Sequence, residues 1–385
     1  MKVNMVLRCS LPPLFILIVT VTSSNGQQWR QDDEGCIATN GQTGTCIPVR
    51  MCPTMVKALL TVKRPLSKEA REQLESYLCS IANDYKVCCP SSPINIKEDT
   101  IDTSEVSESA DIIQHPNYHL LPSNCGYIDL GSVRVLHGDK AGLTEFPWMA
   151  LLSYREADNK AHFKCAGTII NSRYILTAAH CLEERSRLLG ARVGEYDIYN
   201  KSDCFAGVCN DPVQDLIVEE VIVHSKYQII DNSNDIAILR VTPIRFNEKN
   251  IKPICLPRAK NLEPKDDYVE VTGWGVTKQF TSKRSDILQK AFLPVVNKTA
   301  CQEIYANNTE ITIDDTKICA GGGVKKTNAC NGDSGGPIQQ RRQFNDGMRY
   351  IQLGIVSIGI EGCDIPEIFT KVAHYMDWIL DNMKP

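Results

Sequence analysis

The run Asn331-Gly332-Asp333-Ser334-Gly335-Gly336-Pro337 sets a serine in a glycine-rich turn, the setting of an activated nucleophile. A serine hydroxyl is a weak nucleophile near neutral pH. It needs an adjacent base, and the base needs a third group to orient it. Upstream lies Thr177-Ala178-Ala179-His180-Cys181, and between the two comes Asn234-Asp235-Ile236-Ala237-Ile238-Leu239. His180, Asp235 and Ser334 supply the three roles, and His, Asp, Ser is one of three chain orders in which such a triad occurs. The blander alternative is a buried histidine, a strand-edge aspartate and a turn with an exposed serine. It requires three separate local signatures to coincide by chance.

With these motifs the C-terminal part resembles the trypsin/chymotrypsin-type serine proteases. The resemblance implies that Ser334 attacks a peptide carbonyl and that His180 takes its proton and returns it to the leaving amine. Asp235 then holds the imidazole tautomer, and the backbone N–H groups of Gly332 and Ser334 form an oxyanion hole. It also implies two antiparallel six-stranded β-barrels with the triad between them. The residues agree with a mostly β chain: short alternating apolar runs such as Thr168 to Leu176, Leu216 to Val223 and Tyr350 to Ser357 are punctuated by turn residues. Within residues 135–385 only Val372 to Leu380 reads as a helix.

Residues 1–26 have the layout of a secretory signal: Lys2 and Arg8, an apolar run from Leu11 to Val21, then small residues through Gly26. That run is too short to span a bilayer, so a secreted protein without a membrane anchor is expected. A net charge of −4 gives no nucleic-acid footprint. Of 17 cysteines, loss of Cys9 with the signal leaves 16, an even number that reads as eight disulfides in an exported chain.

Six of them, Cys36, Cys46, Cys52, Cys79, Cys88 and Cys89, fall in a segment too short to bury a self-sufficient core. A zinc site is the alternative, though no histidine lies nearby. The spacing resembles a clip domain, the module that precedes the catalytic domain in many arthropod serine proteases. By that resemblance the pairs are Cys36–Cys88, Cys46–Cys79 and Cys52–Cys89, and residues 27–35 are an N-terminal extension to a clip domain at 36–89. Ser67 to Leu78 reads as a short capped helix. Residues 90–134 turn polar and acidic and read as an exposed, mobile linker.

Then comes Ser132-Val133-Arg134-Val135-Leu136-His137-Gly138. In the family a zymogen is cut after a basic residue at this place. The resemblance therefore implies cleavage after Arg134 and pairing of the new Val135 ammonium with Asp333. It further implies Cys165–Cys181, Cys301–Cys319 and Cys330–Cys363, with Cys125–Cys255 tethering the N-terminal part after cleavage. Cys204 and Cys209 remain for each other.

The specificity pocket departs from the family pattern. Asn328 stands where an aspartate selects Arg or Lys, Ser357-Ile358-Gly359 replaces Ser-Trp-Gly, and Glu367 stands where glycine keeps a wall open. Glu367 either supplies the missing negative charge or fills the pocket. Asn200, Asn297 and Asn307 are glycosylation acceptors by motif. No cofactor is required; the family's calcium loop begins near Glu195, a candidate ligand.

The function expected by resemblance is a secreted serine endopeptidase in an extracellular proteolytic cascade, in innate immunity (melanisation or Toll-type signalling) or development. Its partners would be a downstream zymogen or cytokine precursor, an upstream activating protease and a serpin-type inhibitor, with neither nucleic acid nor membrane. The alternative is a weak or inactive clip-domain homologue that works as a binding cofactor.

Overall fold

The structure is a computed structural model that describes residues 35–62, 65–80, 86–96, 110–127, 140–183, 187–205, 208–276, 284–306, 311–322, 333–344, 347–358 and 365–385. The segment 1–26, Arg134, Val135, Asn328, Gly332, Gly359, Asn307 and the pair Cys330 and Cys363 lie outside the described residues.

Four short strands, β1 (Gly35–Ile37), β2 (Thr43–Pro48), β3 (Leu78–Ser80) and β4 (Lys86–Pro90), form the N-terminal sheet in the order β1-β2-β4-β3. Disulfides Cys36–Cys88, Cys46–Cys79 and Cys52–Cys89 staple it. Two helices pack on the sheet. Helix α1 (Pro53–Thr61) starts with proline at its first turn, and the Cys52 sulfur accepts from Met55 N–H. Helix α2 (Lys68–Glu75) is capped by Ser67, whose Oγ accepts from Ala70 N–H at 3.0 Å. The helix expected to run to Leu78 stops at Glu75, because Leu78 pairs with Val87 in the sheet.

Part of the stretch read as a mobile linker is folded onto the catalytic domain. Helix α3 (Ala110–Ile113) and a 3₁₀ turn at Tyr118–Leu120 lie against the first barrel, and Ile112 is fully buried in that barrel's core.

The first barrel contains β5 (Met149–Arg155), β6 (Ala161–Ile169), β7 (Tyr174–Thr177) and β8 (Arg187–Val193). A small hairpin, β9 (Cys204–Phe205) and β10 (Val208–Cys209), closed by Cys204–Cys209, precedes β11 (Gln214–Leu216), β12 (Val218–Val223) and β13 (Ala237–Val241). The sheet order is β11-β8-β5-β6-β7-β13-β12. Its two ends, β11 and β12, are one run of chain interrupted only at Ile217, so the sheet wraps almost shut. Ile217 is held at the bend by Thr242, in a reciprocal pair of bonds at 3.2 and 2.9 Å. Gly190 permits the crossing, since a Cβ there would stand 2.5 Å from the Leu216 carbonyl oxygen.

The second barrel is closed: β14 (Tyr268–Gly273), β15 (Gln289–Val296), β16 (Lys317–Ala320), β19 (Glu367–Lys371), β18 (Gly347–Ile358) and β17 (Pro337–Phe344), in that order around the ring. Val269, Leu293, Ile338, Leu353 and Phe369 fill it. Helix α4 (Lys298–Ala306) was not foreseen; Cys301 and Tyr305, one helical turn apart, are its buried face. The C-terminal element begins as a 3₁₀ turn, Val372–Tyr375, and continues as α5 (Met376–Asn382).

Between the barrels a buried ion pair ties the segment ahead of β5 to β15. Lys290 Nζ donates to both Glu145 carboxylate oxygens at 2.5 and 2.8 Å, and Gly142 N–H donates to the same group at 2.7 Å. Removing one partner strands a buried charge, whereas removing both does not. Lys290→Met should therefore destabilise the fold by about 3–5 kcal/mol in urea unfolding, and the double change Glu145→Leu/Lys290→Met should recover most of that loss. Equal losses in the two variants would contradict the argument.

Candidate active site

Asp235 is fully buried in the turn before β13, after Asn234, which adopts a left-handed φ of 55°. Its Oδ1 accepts from the His180 backbone N–H at 2.9 Å. Its Oδ2 accepts from His180 Nδ1 at 2.8 Å and from Ser357 Oγ at 2.5 Å. Because a carboxylate only accepts, Nδ1 carries a proton, which makes Nε2 the basic nitrogen of the neutral ring. Thr370 Oγ1 fixes the Asp235 carbonyl at 2.8 Å.

His180 sits in a one-turn 3₁₀ helix, Ala179–Leu182, clamped to β6 by Cys165–Cys181. Burial works against its cation. The charge and hydrogen bond of Asp235, with Glu183 beyond, outweigh that cost and hold the imidazole above its ordinary value. Cys165, His180 and Cys181 bring ligand-type atoms together, but both sulfurs are in a disulfide and offer no thiolate to a metal.

The Ser334 turn packs against the same region. The Ser334 carbonyl accepts from Ala166 N–H at 2.8 Å, beside Cys165. Gly335 has φ 78°, and a Cβ there would stand 2.2 Å from Thr177 Oγ1, so only glycine lets the Ser334 turn lie against the chain that leads to His180. Gly335 N–H donates to the Val356 carbonyl at 2.9 Å and Val356 N–H to the Gly336 carbonyl at 2.9 Å, which lock the turn to β18. Ser357, read from sequence only as part of a pocket wall, is thus also a partner of Asp235. No local signal in the sequence joins those two residues.

Asp333 is buried, and its Oδ1 accepts from Gly275 N–H at 2.8 Å. Cβ atoms at Gly273 and Gly275 would lie 1.9 and 2.3 Å from its carboxylate oxygens, so both glycines are required around it. Glu367 is buried on β19 opposite Ala320. Tyr305 OH donates to the Pro366 carbonyl at 2.7 Å, and burial together with the Glu367 charge pushes that phenol up.

The Glu195 carboxylate accepts from Tyr196 N–H at 2.9 Å and from Arg192 Nη1 at 3.3 Å. The Arg192 guanidinium thus reaches this candidate calcium ligand, though its shorter bonds, at 2.7 and 3.0 Å, go to Asp215. Asn200 and Asn297 are exposed. Among the described cysteines the structure also joins Cys125–Cys255 and Cys301–Cys319.

Two antiparallel barrels, with the Asp235–His180 pair and the Ser334 turn both packed at their junction, define a chymotrypsin-like architecture. The trypsin family matches residues 135–379, and the regulatory CLIP domain of proteinases matches residues 36–89. The chain belongs to the CLIP-domain serine proteases of the trypsin family. It is 35% identical to phenoloxidase-activating factor 3 of Holotrichia diomphalia over 91% of this chain and 94% of that protein. It is 32% identical to the serine protease grass of Drosophila melanogaster, over 95% and 96%. The crystal structure of the Drosophila Grass clip serine protease of the Toll pathway superposes with a TM-score of 0.61 at 31% identity, covering 92% of this chain and 98% of that one. No helix among the described residues is long and apolar enough to cross a membrane.

The raised His180 value has a checkable origin. A raised value keeps the proton on the ring to higher pH, so the free base emerges later on titration from the acid side. Glu183→Gln should move the His180 midpoint, followed by NMR of the ring N–H, to lower pH. An unchanged or higher midpoint would exclude Glu183 as a contributor.

Proposed function

We propose that the chain is a secreted serine endopeptidase made as a zymogen and switched on by cleavage after Arg134. The observation that carries this reading is the buried Asp235 carboxylate. It fixes the His180 tautomer beside a nucleophile turn that packs on the run ending at His180. In the reaction His180 Nε2 takes the Ser334 proton as Oγ attacks the carbonyl, and the proton then goes to the leaving amine. Gly332 and Ser334 N–H groups receive the developing oxyanion. Val135, freed by the cut, brings its ammonium to Asp333, where a buried carboxylate gains from a cation.

The relatives named for phenoloxidase activation and for the Toll pathway support a place in an extracellular proteolytic cascade, in melanisation or Toll-type immunity. Substrates of that kind are downstream zymogens or cytokine precursors. An upstream trypsin-like protease would make the activating cut, and a serpin-type inhibitor would end the activity. Residues 1–26 serve as the export signal, and Asn200, Asn297 and Asn307 as glycan acceptors. The domain bounds are 36–89 for the clip, 90–134 for the linker and 135–385 for the catalytic part.

A fluorophosphonate probe tests the assignment: after cutting at Arg134, Ser334 should be labelled, and Ser334→Ala should abolish labelling. A cut chain whose Ser334 stays unlabelled would point to the binding-cofactor role instead.

In the pocket we assign selectivity to the Glu367 charge, because Asn328 carries none and Glu367 is a buried acid with the Tyr305 phenol nearby. Glu367→Gly should reduce cleavage after Arg or Lys by at least about tenfold relative to bulky apolar residues. An unaltered peptide profile would remove Glu367 from the selectivity mechanism.

A further inference from the structure

The family resemblance assigns retention of the N-terminal fragment to one covalent bond, Cys125–Cys255. The structure contains a second, non-covalent attachment. Arg341 lies in β17 and is buried, although strand residues on the outside of a barrel normally meet solvent. Its Nη1 donates to the Leu59 carbonyl at 2.9 Å and its Nη2 to the Val62 carbonyl at 2.7 Å. Those carbonyls close the C-terminal end of α1, where a helix presents unsatisfied acceptors and the negative end of its dipole. A guanidinium there makes charge-assisted, two-pronged contact, and it reaches from the second barrel into the clip domain.

The chain between the clip and the bridge is fastened as well. Asn117 Nδ2 donates to the Leu380 and Met383 carbonyls at 2.9 and 3.2 Å, at the end of α5. Asn171 Nδ2 donates to the Leu120 carbonyl at 3.2 Å, and Arg349 Nη1 to the Ser123 carbonyl at 2.6 Å. Gly126 exchanges bonds with Pro253 and Tyr350 at 2.8 and 2.9 Å, while Ile112 is sunk in the first barrel's core. The strap thus touches the first barrel, the second barrel and the C-terminal helix.

We propose that the catalytic domain is a receptor for its own N-terminal fragment. The strap at 110–127 and the Arg341 clasp on α1 hold that fragment in place after the cut without need of Cys125–Cys255. The proposal rests on cleavage after Arg134 for its biological sense, but its contacts are read independently of that event. The clip domain is then a fixed part of the active protease, and a cascade partner meets one composite surface.

The test replaces both bridge cysteines, Cys125→Ser/Cys255→Ser, cuts the chain after Arg134 and scores the cut by N-terminal sequencing. Gel filtration should return the clip-bearing fragment with the catalytic fragment in one peak. Two separate peaks would overturn the proposal. A chain that resists cutting counts against the activation reading alone. Amide exchange on the native, bridged protein then still decides. Leu120, Leu121 and Gly126 N–H groups should be protected about tenfold or more over coil rates before and after any cut, and coil-like rates would refute the strap. NMR relaxation reads the clasp: clip and catalytic amides should share one rotational correlation time, and Arg341→Ala should shorten that of the clip. An Arg341→Ala clip that tumbles with the catalytic domain as before would remove the clasp.

Discussion

One buried carboxylate, that of Asp235, draws its partners from both barrels. Asp235 belongs to the first barrel's connection into β13, and it receives His180 N–H and Nδ1–H from that barrel. Ser357 Oγ from β18 of the second barrel completes the set, and Thr370 Oγ1 from β19 binds the Asp235 carbonyl. A carboxylate at zero exposure is costly unless its lone pairs are filled. The donors that fill them come from both halves, so solvating this charge and docking the barrels are one event. The site lies at the seam because the seam is what makes the charge tolerable.

Elements remote in sequence reach that seam through short stiff connections. Cys165–Cys181 pins the His180 turn to β6, and Ala166, the next residue, donates its N–H to the Ser334 carbonyl. Gly335 removes the side chain that would otherwise force the Ser334 turn away from Thr177. His180 and Ser334 are thus placed relative to one strand, β6, before any direct contact between them is considered. Positioning of this sort costs little entropy at the moment of reaction, because the frame is already ordered.

What could be read from the chain alone follows from the range of each interaction. His180 and Asp235 stand in short runs whose chemistry is local, and the alternating apolar segments announce strands one at a time. Ser357 as a partner of Asp235, Thr370 on its carbonyl and Arg341 on α1 are contacts between distant residues, and no spacing rule encodes them. Helix α1 escaped notice although Pro53 marks its start, since its apolar residues lie inside a cysteine-rich stretch that reads as irregular. The strap was lost to averaging: an acidic, serine-rich composition from 98 to 111 hid Ile112, Tyr118, Leu120 and Leu121, which the first barrel covers. The near-closure of the first sheet depends on a bend at Ile217, which alternation alone reads as one straight strand.

Buried carboxylates in this chain are handled in different ways, and the differences match their roles. Glu145 has a permanent cation in Lys290, a fixed pair suited to holding two parts of the fold together. Asp235 is served by an amide, an imidazole N–H and a hydroxyl rather than by a lysine, and its charge bears on the His180 ring. Had a lysine neutralised Asp235 as Lys290 does Glu145, the ring would lose the field that raises its basicity. Asp333 lies between these cases. Its oxygen is held by the Gly275 amide in a socket of two glycines, so its position is set by backbone. The Asp333 charge also acts on the Arg284 guanidinium, so backbone and a side-chain cation both bear on it.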